Sequence, residues 1–191
     1  MQPTFRHKSI PCILEGKDVL GRSNTGTGKT AAFGLPLLQQ IDVKNRIPQS
    51  LILCPTRELC LQIAGDLNDY SKYIDGLKVL PVYGGSSLIA KYAAWNEVYI
   101  SSLPHRDVCS IDGTQNRIFI YHPQRCNDEA DEMLNMGFTE SINAILADVP
   151  QERNTLLFSA TMSPEIARIS KNYLRNAKEI TIGRKNEVPA T

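Results

Sequence analysis

A glycine-rich turn from Ser23 to Thr30 joins a short apolar run to an amphipathic stretch near the start of the chain. The run Asp18 to Leu20 is typical of a buried strand, and residues 30–40 have the spacing of a helix. Between a strand and a helix, such a turn directs backbone N–H groups inward, where they and the helix N-terminus attract phosphate. The motif therefore favours an α/β fold. An ordinary Gly/Thr-rich turn is the alternative for this motif alone.

Apolar runs alternate with amphipathic stretches along most of the 191 residues. The further apolar runs are 51–54, 79–83, 155–158 and 180–182, and the amphipathic stretches are 29–40, 57–72 and 164–175. This rhythm predicts a parallel sheet flanked by helices. Because the chain shows no internal repeat and no low-complexity tract, we expect residues 1–191 to form one domain. Only the segment from about 88 to 127 breaks the alternation.

Charge and cysteine content narrow the class of protein. The chain has 21 basic and 20 acidic residues and a formal net charge of +1, so any contact with nucleic acid must be local. Five cysteines without zinc-ligand spacing argue against a closed disulfide framework and favour a reducing compartment. No apolar run has the length of a membrane span. We therefore expect a cytoplasmic protein with no membrane partner.

The glycine-rich turn has the residues of a nucleotide site. Gly26 and Gly28 supply a permissive backbone, Lys29 is placed to reach the β and γ phosphates, and the Thr30 hydroxyl is placed to bind Mg²⁺. The residues assigned to nucleotide binding are Ser23, Asn24, Thr25, Gly26, Thr27, Gly28, Lys29 and Thr30.

An acidic string, Asp128-Glu129-Ala130-Asp131, lies far down the chain from this loop. Asp128 is a candidate ligand of Mg²⁺, and Glu129 is a candidate to orient and deprotonate the attacking water. A solvated turn is the alternative for four such residues taken alone.

Ser159-Ala160-Thr161 follows the predicted strand at 155–158, which places two hydroxyls at the carboxyl edge of the sheet. Capping of the helix that begins near Ser163 is the alternative for these hydroxyls. The two interpretations are compatible.

Taken together and in order, the motifs resemble those of bacterial DEAD-box RNA helicases, over roughly residues 8–86 and 128–185. The matching motifs are Thr25-Gly26-Thr27-Gly28-Lys29-Thr30, Pro55-Thr56-Arg57-Glu58-Leu59, Gly84-Gly85, Asp128 to Phe138 and Ser159-Ala160-Thr161. The resemblance implies a RecA-like P-loop NTPase domain that uses ATP and Mg²⁺ to unwind RNA duplexes locally. It makes Lys29, Asp128 and Glu129 the catalytic residues.

The same resemblance implies a second set of contacts, to the RNA sugar-phosphate backbone. The residues assigned to RNA are Pro55, Thr56, Arg57, Gly84 and Gly85. Backbone contacts carry no base information, so we expect sequence-tolerant binding. A surface ion pair with Glu58 is the alternative for Arg57.

A coupling role is also implied by the resemblance. Asp131 would connect to Ser159 and Thr161 and so link the nucleotide state to the grip on RNA.

The first departure from the family is near the N-terminus. The family has a glutamine five residues before an Ile-Pro proline, and this amide reads the adenine edge. Counting back from Pro11 places Arg6 at that position. Arginine only donates hydrogen bonds, so we expect adenine selectivity to be weakened.

The second departure is the segment 88–127, which lacks the family's Thr-Pro-Gly-Arg motif and shows no apolar strand directly before Asp128. Instead Gln124-Arg125-Cys126-Asn127 precedes Asp128, and placing Arg125 on a central buried strand would cost several kcal/mol if its charge were left unpaired. One possible set of codons for residues 103–108 encodes Ala-Thr-Pro-Gly-Arg when it is read from the third base. Our hypothesis is therefore a disrupted, out-of-frame segment, and a genuine divergent insertion is the alternative.

The third departure is length. The family has a second RecA-like domain with an arginine finger, which contributes roughly 10³–10⁵-fold in rate. Since residues 1–191 contain only the first domain, we expect this chain alone to be a poor ATPase and no helicase. A non-catalytic RNA-binding module and a non-functional fragment are the competing hypotheses.

Overall fold

The computed structural model describes residues 5–23, 28–45, 49–54, 56–82, 97–102, 117–121, 142–143, 146–147, 152–159 and 162–182. The helices are α1 (Phe5–Leu14), α2 (Lys29–Gln39), α3 (Arg57–Ser71) and α4 (Pro164–Tyr173), with further helical residues at 142–143 and 146–147. The strands are β1 (Val19–Ser23), β2 (Ser50–Cys54), β3 (Lys78–Val82), β4 (Glu97–Ser102), β5 (Arg117–Tyr121), β6 (Asn154–Ser159) and β7 (Lys178–Ile182). Within these ranges no helix has both the length and the apolar character needed to cross a membrane.

The strands form one sheet in the order β3-β4-β2-β5-β6-β1-β7. Neighbouring strands are parallel throughout the described sheet. Helices α2, α3 and α4 each connect two successive strands and are the crossover connections that parallel strands require, whereas α1 precedes the first strand. The predicted parallel sheet with flanking helices is confirmed.

Both faces of the sheet are covered, as the side-chain alternation of β6 shows. Leu156 and Phe158 pack into the core beneath α1, α2 and α3, while Leu157 packs into a second core with Ile166 of α4. A strand buried on both faces reads as a continuous apolar run, which is why β6 was recognisable in the sequence.

The segment 88–127 contributes two strands, β4 and β5, and β5 lies between β2 and β6. No apolar strand was found in the sequence directly before Asp128, and Arg125, which precedes Asp128, lies outside the described residues. The strand is Arg117–Tyr121, which is rich in β-branched and aromatic residues and ends seven residues before Asp128. The remaining residues of the segment lie outside the described ranges, and the out-of-frame hypothesis stays a prediction.

Helix α1 is anchored by Phe5, whose ring is almost fully buried. The edge of this ring meets Phe158 of β6, with 5.7 Å between the ring centroids and an interplanar angle of 70°. Edge-to-face packing of this kind is a preferred aromatic geometry. Because Phe5 is fixed, the next residue, Arg6, is held at the start of α1.

The buried Asp18 carboxylate stabilises the amino edge of the sheet through hydrogen bonds. It accepts hydrogen bonds from the backbone N–H of Thr155 at 2.8 Å and of Arg175 at 2.6 Å. The Asp18 carbonyl accepts a further bond from the N–H of Lys178 at 2.8 Å. These bonds tie β1 to β6 and β7 and so fix the strand that leads into the glycine-rich turn.

Candidate functional site

The glycine-rich turn ends at Gly28, which precedes the first residue of α2. Gly28 has φ 73° and ψ 35°, a left-handed conformation that a residue with a Cβ adopts only at a cost. Its carbonyl accepts the N–H of Ala32 at 3.0 Å and starts the helix. The predicted strand β1 and helix α2 are therefore present on the two sides of the turn, of which the structure describes Gly28. Asn24, Thr25, Gly26 and Thr27 lie outside the described residues, and only the backbone of Ser23 is described.

Lys29 opens α2 and is buried, with 3% of its surface exposed. Burial lowers the pKa of this ammonium from 10.5 to about 8. A cation held out of water at a helix N-terminus destabilises the free protein, because its hydration is lost and the helix dipole there is also positive. Such a placement is useful where an anion binds, and residues that are costly to the fold are expected at functional sites.

Thr30 follows in the first turn of α2, and its side chain is hydrogen-bonded to Asp66 of α3. Burial raises the pKa of Asp66, the neighbouring Asp69 raises it further, and the hydrogen bond with Thr30 opposes both effects. A hydroxyl and a carboxylate are the hard oxygen donors that Mg²⁺ prefers. Within the described residues, no three acidic, cysteine or histidine side chains gather as a metal site.

Asp66 was missed by the sequence analysis. A charged residue on the outer face of an amphipathic helix is the ordinary pattern, so nothing in the sequence singled it out. Its contact with Thr30 depends on how closely α2 and α3 pack. That approach is set by Gly34, where a Cβ would lie 2.5 Å from Cδ2 of Leu67.

The guanidinium of Arg6 lies against the end of the turn. A Cβ built on Gly28 would be 3.3 Å from Nε and 3.6 Å from Cζ of Arg6. Arg6 also acts on Tyr70 of α3, whose pKa is raised by burial and by Asp66 and is lowered by Arg6. The exposed side chain therefore sits near the N-terminus of α2 and within electrostatic reach of α3.

Thr56 and Arg57 lie where β2 passes into α3. Thr56 is the N-cap of α3, and its hydroxyl accepts the backbone N–H of Leu59 at 3.3 Å. A cap of this kind stabilises a helix by about 1 kcal/mol. Arg57 is the first helical residue and is exposed. The capping role of Thr56 was not expected from the sequence, and Pro55 lies outside the described residues.

Ser159 is the last residue of β6 and is fully buried beside Arg22 of β1. The cap of α4 is Ser163, whose hydroxyl accepts the N–H of Ile166 at 3.3 Å. The helix that begins at Pro164 is therefore capped by Ser163 and not by Ser159. Thr161 lies outside the described ranges.

One edge of the sheet collects the described site residues. Since β1, β2 and β6 are parallel members of one sheet, their carboxyl ends at Ser23, Cys54 and Ser159 share an edge. In open α/β sheets, ligands bind at this edge. Lys29 and Thr56 follow two of these ends. Gly84, Gly85, Asp128, Glu129 and Asp131 lie outside the described residues, so their assigned roles stay predictions.

A family model described as DEAD/DEAH box helicase matches residues 4–169. The chain is 47% identical over 176 residues to the ATP-dependent RNA helicase DeaD of Buchnera aphidicola subsp. Acyrthosiphon pisum, covering 91% of this chain and 29% of that protein. It is 43% identical over 184 residues to the DEAD-box ATP-dependent RNA helicase CshA of Geobacillus kaustophilus, covering 92% of this chain and 39% of that protein. The chain thus spans between a quarter and two fifths of the length of these curated relatives.

Solved structures agree with the sequence comparisons. A DEAD box protein from Methanococcus jannaschii superposes with a TM-score of 0.78 at 31% identity, over 93% of this chain and 49% of that chain. A hypothetical ATP-dependent RNA helicase from Sulfolobus tokodaii superposes with a TM-score of 0.76 at 34% identity, over 95% of this chain and 54% of that chain.

Proposed function

The chain belongs to the DEAD/DEAH box helicase family, and on that premise we propose that it binds a magnesium nucleoside triphosphate and RNA as one domain of an ATP-dependent RNA helicase. The observation that carries the proposal is the buried Lys29 ammonium behind the left-handed Gly28. A buried cation at the N-terminus of a helix, directly after a glycine-rich turn, is suited to contact the phosphates of a nucleotide. Hydrolysis and duplex unwinding are proposed for the whole helicase.

The described residues near the phosphates have two proposed roles, which are phosphate binding and metal binding. The α2 N-terminus and Lys29 hold the phosphate oxygens, and Thr30, oriented by Asp66, is the described ligand candidate for Mg²⁺. Thr30 would help to hold Mg²⁺, which would supply positive charge that neutralises the phosphates. Asp128 and Glu129 complete the proposal as metal ligand and as the residue that orients water.

The Lys29 ammonium gives the first prediction, an affinity that falls at high pH. Nucleotide phosphates are fully ionised above about pH 7, so Lys29, with its pKa of about 8, is the titrating group. We expect the affinity for magnesium nucleotide to fall as pH rises above 8, approaching about tenfold per pH unit. Isothermal titration calorimetry between pH 7 and 9.5 measures this.

The stability of the free chain is expected to move in the opposite direction. The pKa of Lys29 in the folded chain lies below its value of 10.5 in the unfolded chain. The unfolded state therefore binds more protons between pH 8 and 10.5, and the Lys29 contribution to the free energy of unfolding rises in that window. Lys29→Met should remove this rise, which thermal melts between pH 8 and 10.5 measure, and an unchanged pH profile of stability in that variant would contradict the lowered pKa of Lys29.

RNA is proposed to bind beside the nucleotide, at the edge where β2 ends. Arg57 is exposed at the first turn of α3, where its fork geometry suits a phosphate. The helix N-terminus there also favours an anion. A backbone contact of this kind supports sequence-tolerant binding.

Arg57→Ala is expected to weaken RNA binding about equally for unrelated sequences and to reduce the slope of log affinity against log salt by roughly one phosphate contact. Arg168→Ala on α4 removes the same charge from an exposed helical position and is the matched control. Fluorescence anisotropy at several salt concentrations measures both variants. If the two variants lost RNA affinity equally, Arg57 would act only through the net charge of the chain and the proposed phosphate contact would be wrong.

A further inference from the structure

A cavity of about 280 Å³ lies at the amino edge of the sheet, beside the end of α4. Two arginines, Arg153 and Arg175, line it together with the amide side chains Asn143 and Asn172. Among the described residues that line the cavity there is no acidic side chain. Sites for drug-sized ligands measure roughly 300–1,000 Å³, so this cavity suits a smaller group. Guanidiniums and amides supply the hydrogen-bond donors that a small anion needs.

The two guanidiniums reach the cavity from different elements. Arg153 directly precedes β6, and Arg175 lies between the end of α4 and the start of β7. Burial lowers the pKa of the Arg153 guanidinium, and the neighbouring Arg175 lowers it further. Asp18 and Tyr173 oppose both effects. Because like charges that converge in a partly buried place repel each other, an anion bound between the two arginines would stabilise the chain.

The backbone that carries Arg175 is held in place before any ligand binds. The two oxygens of the Asp18 carboxylate each accept one backbone N–H, Oδ1 from Thr155 and Oδ2 from Arg175. Asn176, the next residue, has φ 46°, a left-handed conformation that asparagine tolerates better than most residues. A cavity whose cation is already positioned binds its ligand at a smaller entropic cost.

The neutral groups of the cavity also favour an anion. The Tyr173 hydroxyl donates a hydrogen bond to Oδ1 of Asn143. This bond uses the amide acceptor, so Asn143 has its two N–H donors left to offer a ligand. A phosphate group has three terminal oxygens and a charge of about −1.5 to −2 at pH 7, which suits two guanidinium forks. A carboxylate has two oxygens and a single charge and therefore suits one fork.

We propose that the cavity between Arg153 and Arg175 binds a phosphate group, which belongs either to free phosphate or to a small phosphate ester. The site is separate from the phosphate loop, because β6 begins at the amino edge of the sheet and Lys29 follows the carboxyl end of β1. A strand of five or six residues is about 17–20 Å long, so a small ligand in the cavity does not reach Lys29. The inference goes beyond the proposed function and does not depend on it.

The test is a titration of the full, nitrogen-labelled chain followed by two-dimensional NMR, with inorganic phosphate and with glycerol phosphate as probes. We expect saturable shifts of the backbone signal of Arg175 and of the side-chain amide of Asn172 with both probes. Tighter binding of glycerol phosphate would assign a phosphate ester as the ligand, and otherwise free phosphate is assigned. Acetate at the same ionic strength should bind about tenfold more weakly, since it engages one guanidinium fork.

Variants identify the residues that hold the phosphate. Arg175→Gln changes an exposed side chain and should weaken the binding of inorganic phosphate at least about tenfold, as should Arg153→Gln. Arg175→Lys keeps the charge without the fork and should bind more weakly than the wild type. Lys171→Gln removes an exposed charge of α4 that does not line the cavity and should bind like the wild type. Lys29→Ala should keep the shift at Arg175.

Unchanged phosphate affinity in Arg175→Gln would overturn the inference, and so would a loss no larger than that in Lys171→Gln. Shifts confined to signals near Lys29, or acetate binding as tight as phosphate binding, would also contradict it. If Arg153→Gln lowers the thermal midpoint, the exposed Arg175 variants decide the matter. A chain that binds phosphate at Arg175 but not MgATP would remove the proposed nucleotide site and leave this inference in place.

Discussion

Lys29→Ala is expected to abolish measurable binding of magnesium nucleotide while the chain remains folded. Truncating one partner of a buried, hydrogen-bonded charge pair costs about 2–5 kcal/mol in binding, which corresponds to a loss of roughly 30-fold or more in affinity. The fold should tolerate the change because the buried ammonium is itself costly, as the lowered pKa of Lys29 shows. Calorimetric titration measures the binding.

The controls separate lost binding from lost structure. Lys44→Ala makes the same change in net charge at an exposed residue beyond α2 and should bind nucleotide like the wild type. The thermal midpoint of Lys29→Ala in the absence of ligand should equal or exceed that of the wild type. A variant that binds nucleotide normally would show that Lys29 has another partner, and a collapsed thermal midpoint would show a structural role.

Gly21→Ala is expected to produce the largest loss of stability from a single added methyl group. A Cβ on Gly21 would lie 2.5 Å from Cδ1 of Phe158 and 2.6 Å from Cζ of Phe5. Both rings are buried and pack edge to face, so neither has free space to enter. Overpacking of this kind costs about 1–3 kcal/mol, and each kcal/mol lowers the thermal midpoint by about 2–4 °C in a domain of this size.

Gly65→Ala is the matched control for the added methyl group. Gly65 lies in α3, and a Cβ there would meet nothing within 4 Å. Alanine favours the helix over glycine, so this change should raise stability by about 0.5–1 kcal/mol. Thermal melts followed by circular dichroism compare the two variants. A Gly21→Ala chain as stable as the wild type would mean that β1 and α1 are not packed as described.

Local sequence pattern predicted most elements of the fold to within a few residues. The amphipathic stretch 57–72 corresponds to α3 (Arg57–Ser71), and the apolar run 51–54 corresponds to β2 (Ser50–Cys54). These elements are recognisable because each carries its own periodicity or is buried on both faces. Helix α1 was not predicted, since it contains Pro11 and lacks a marked apolar face.

The order of the strands, and the two strands within residues 88–127, could not be predicted from local sequence pattern. Placement of β5 between β2 and β6 depends on pairing with residues distant in the chain, such as Leu51 with Ile118 and Arg117 with Asn154. Local pattern carries no information on such pairing. The strand that lies between β2 and β6 ends seven residues before Asp128, farther from the acidic motif than was expected from the sequence.

Within the candidate site, features of consecutive residues were predictable from the sequence, whereas contacts between distant elements were not. The order of strand, glycine-rich turn and helix was predicted from the sequence, because these residues are consecutive. The burial of Lys29, the bond between Thr30 and Asp66 and the contact of Arg6 with Gly28 arise between elements, and only the folded chain shows them.

Calorimetric titration of the wild-type chain with MgATP at pH 7 tests the central claim most directly. We expect saturable binding with one site per chain, and no measurable binding in the Lys29→Ala variant under the same conditions. The absence of saturable heat with MgATP at millimolar concentration, from a chain that melts cooperatively, would contradict the proposed nucleotide site.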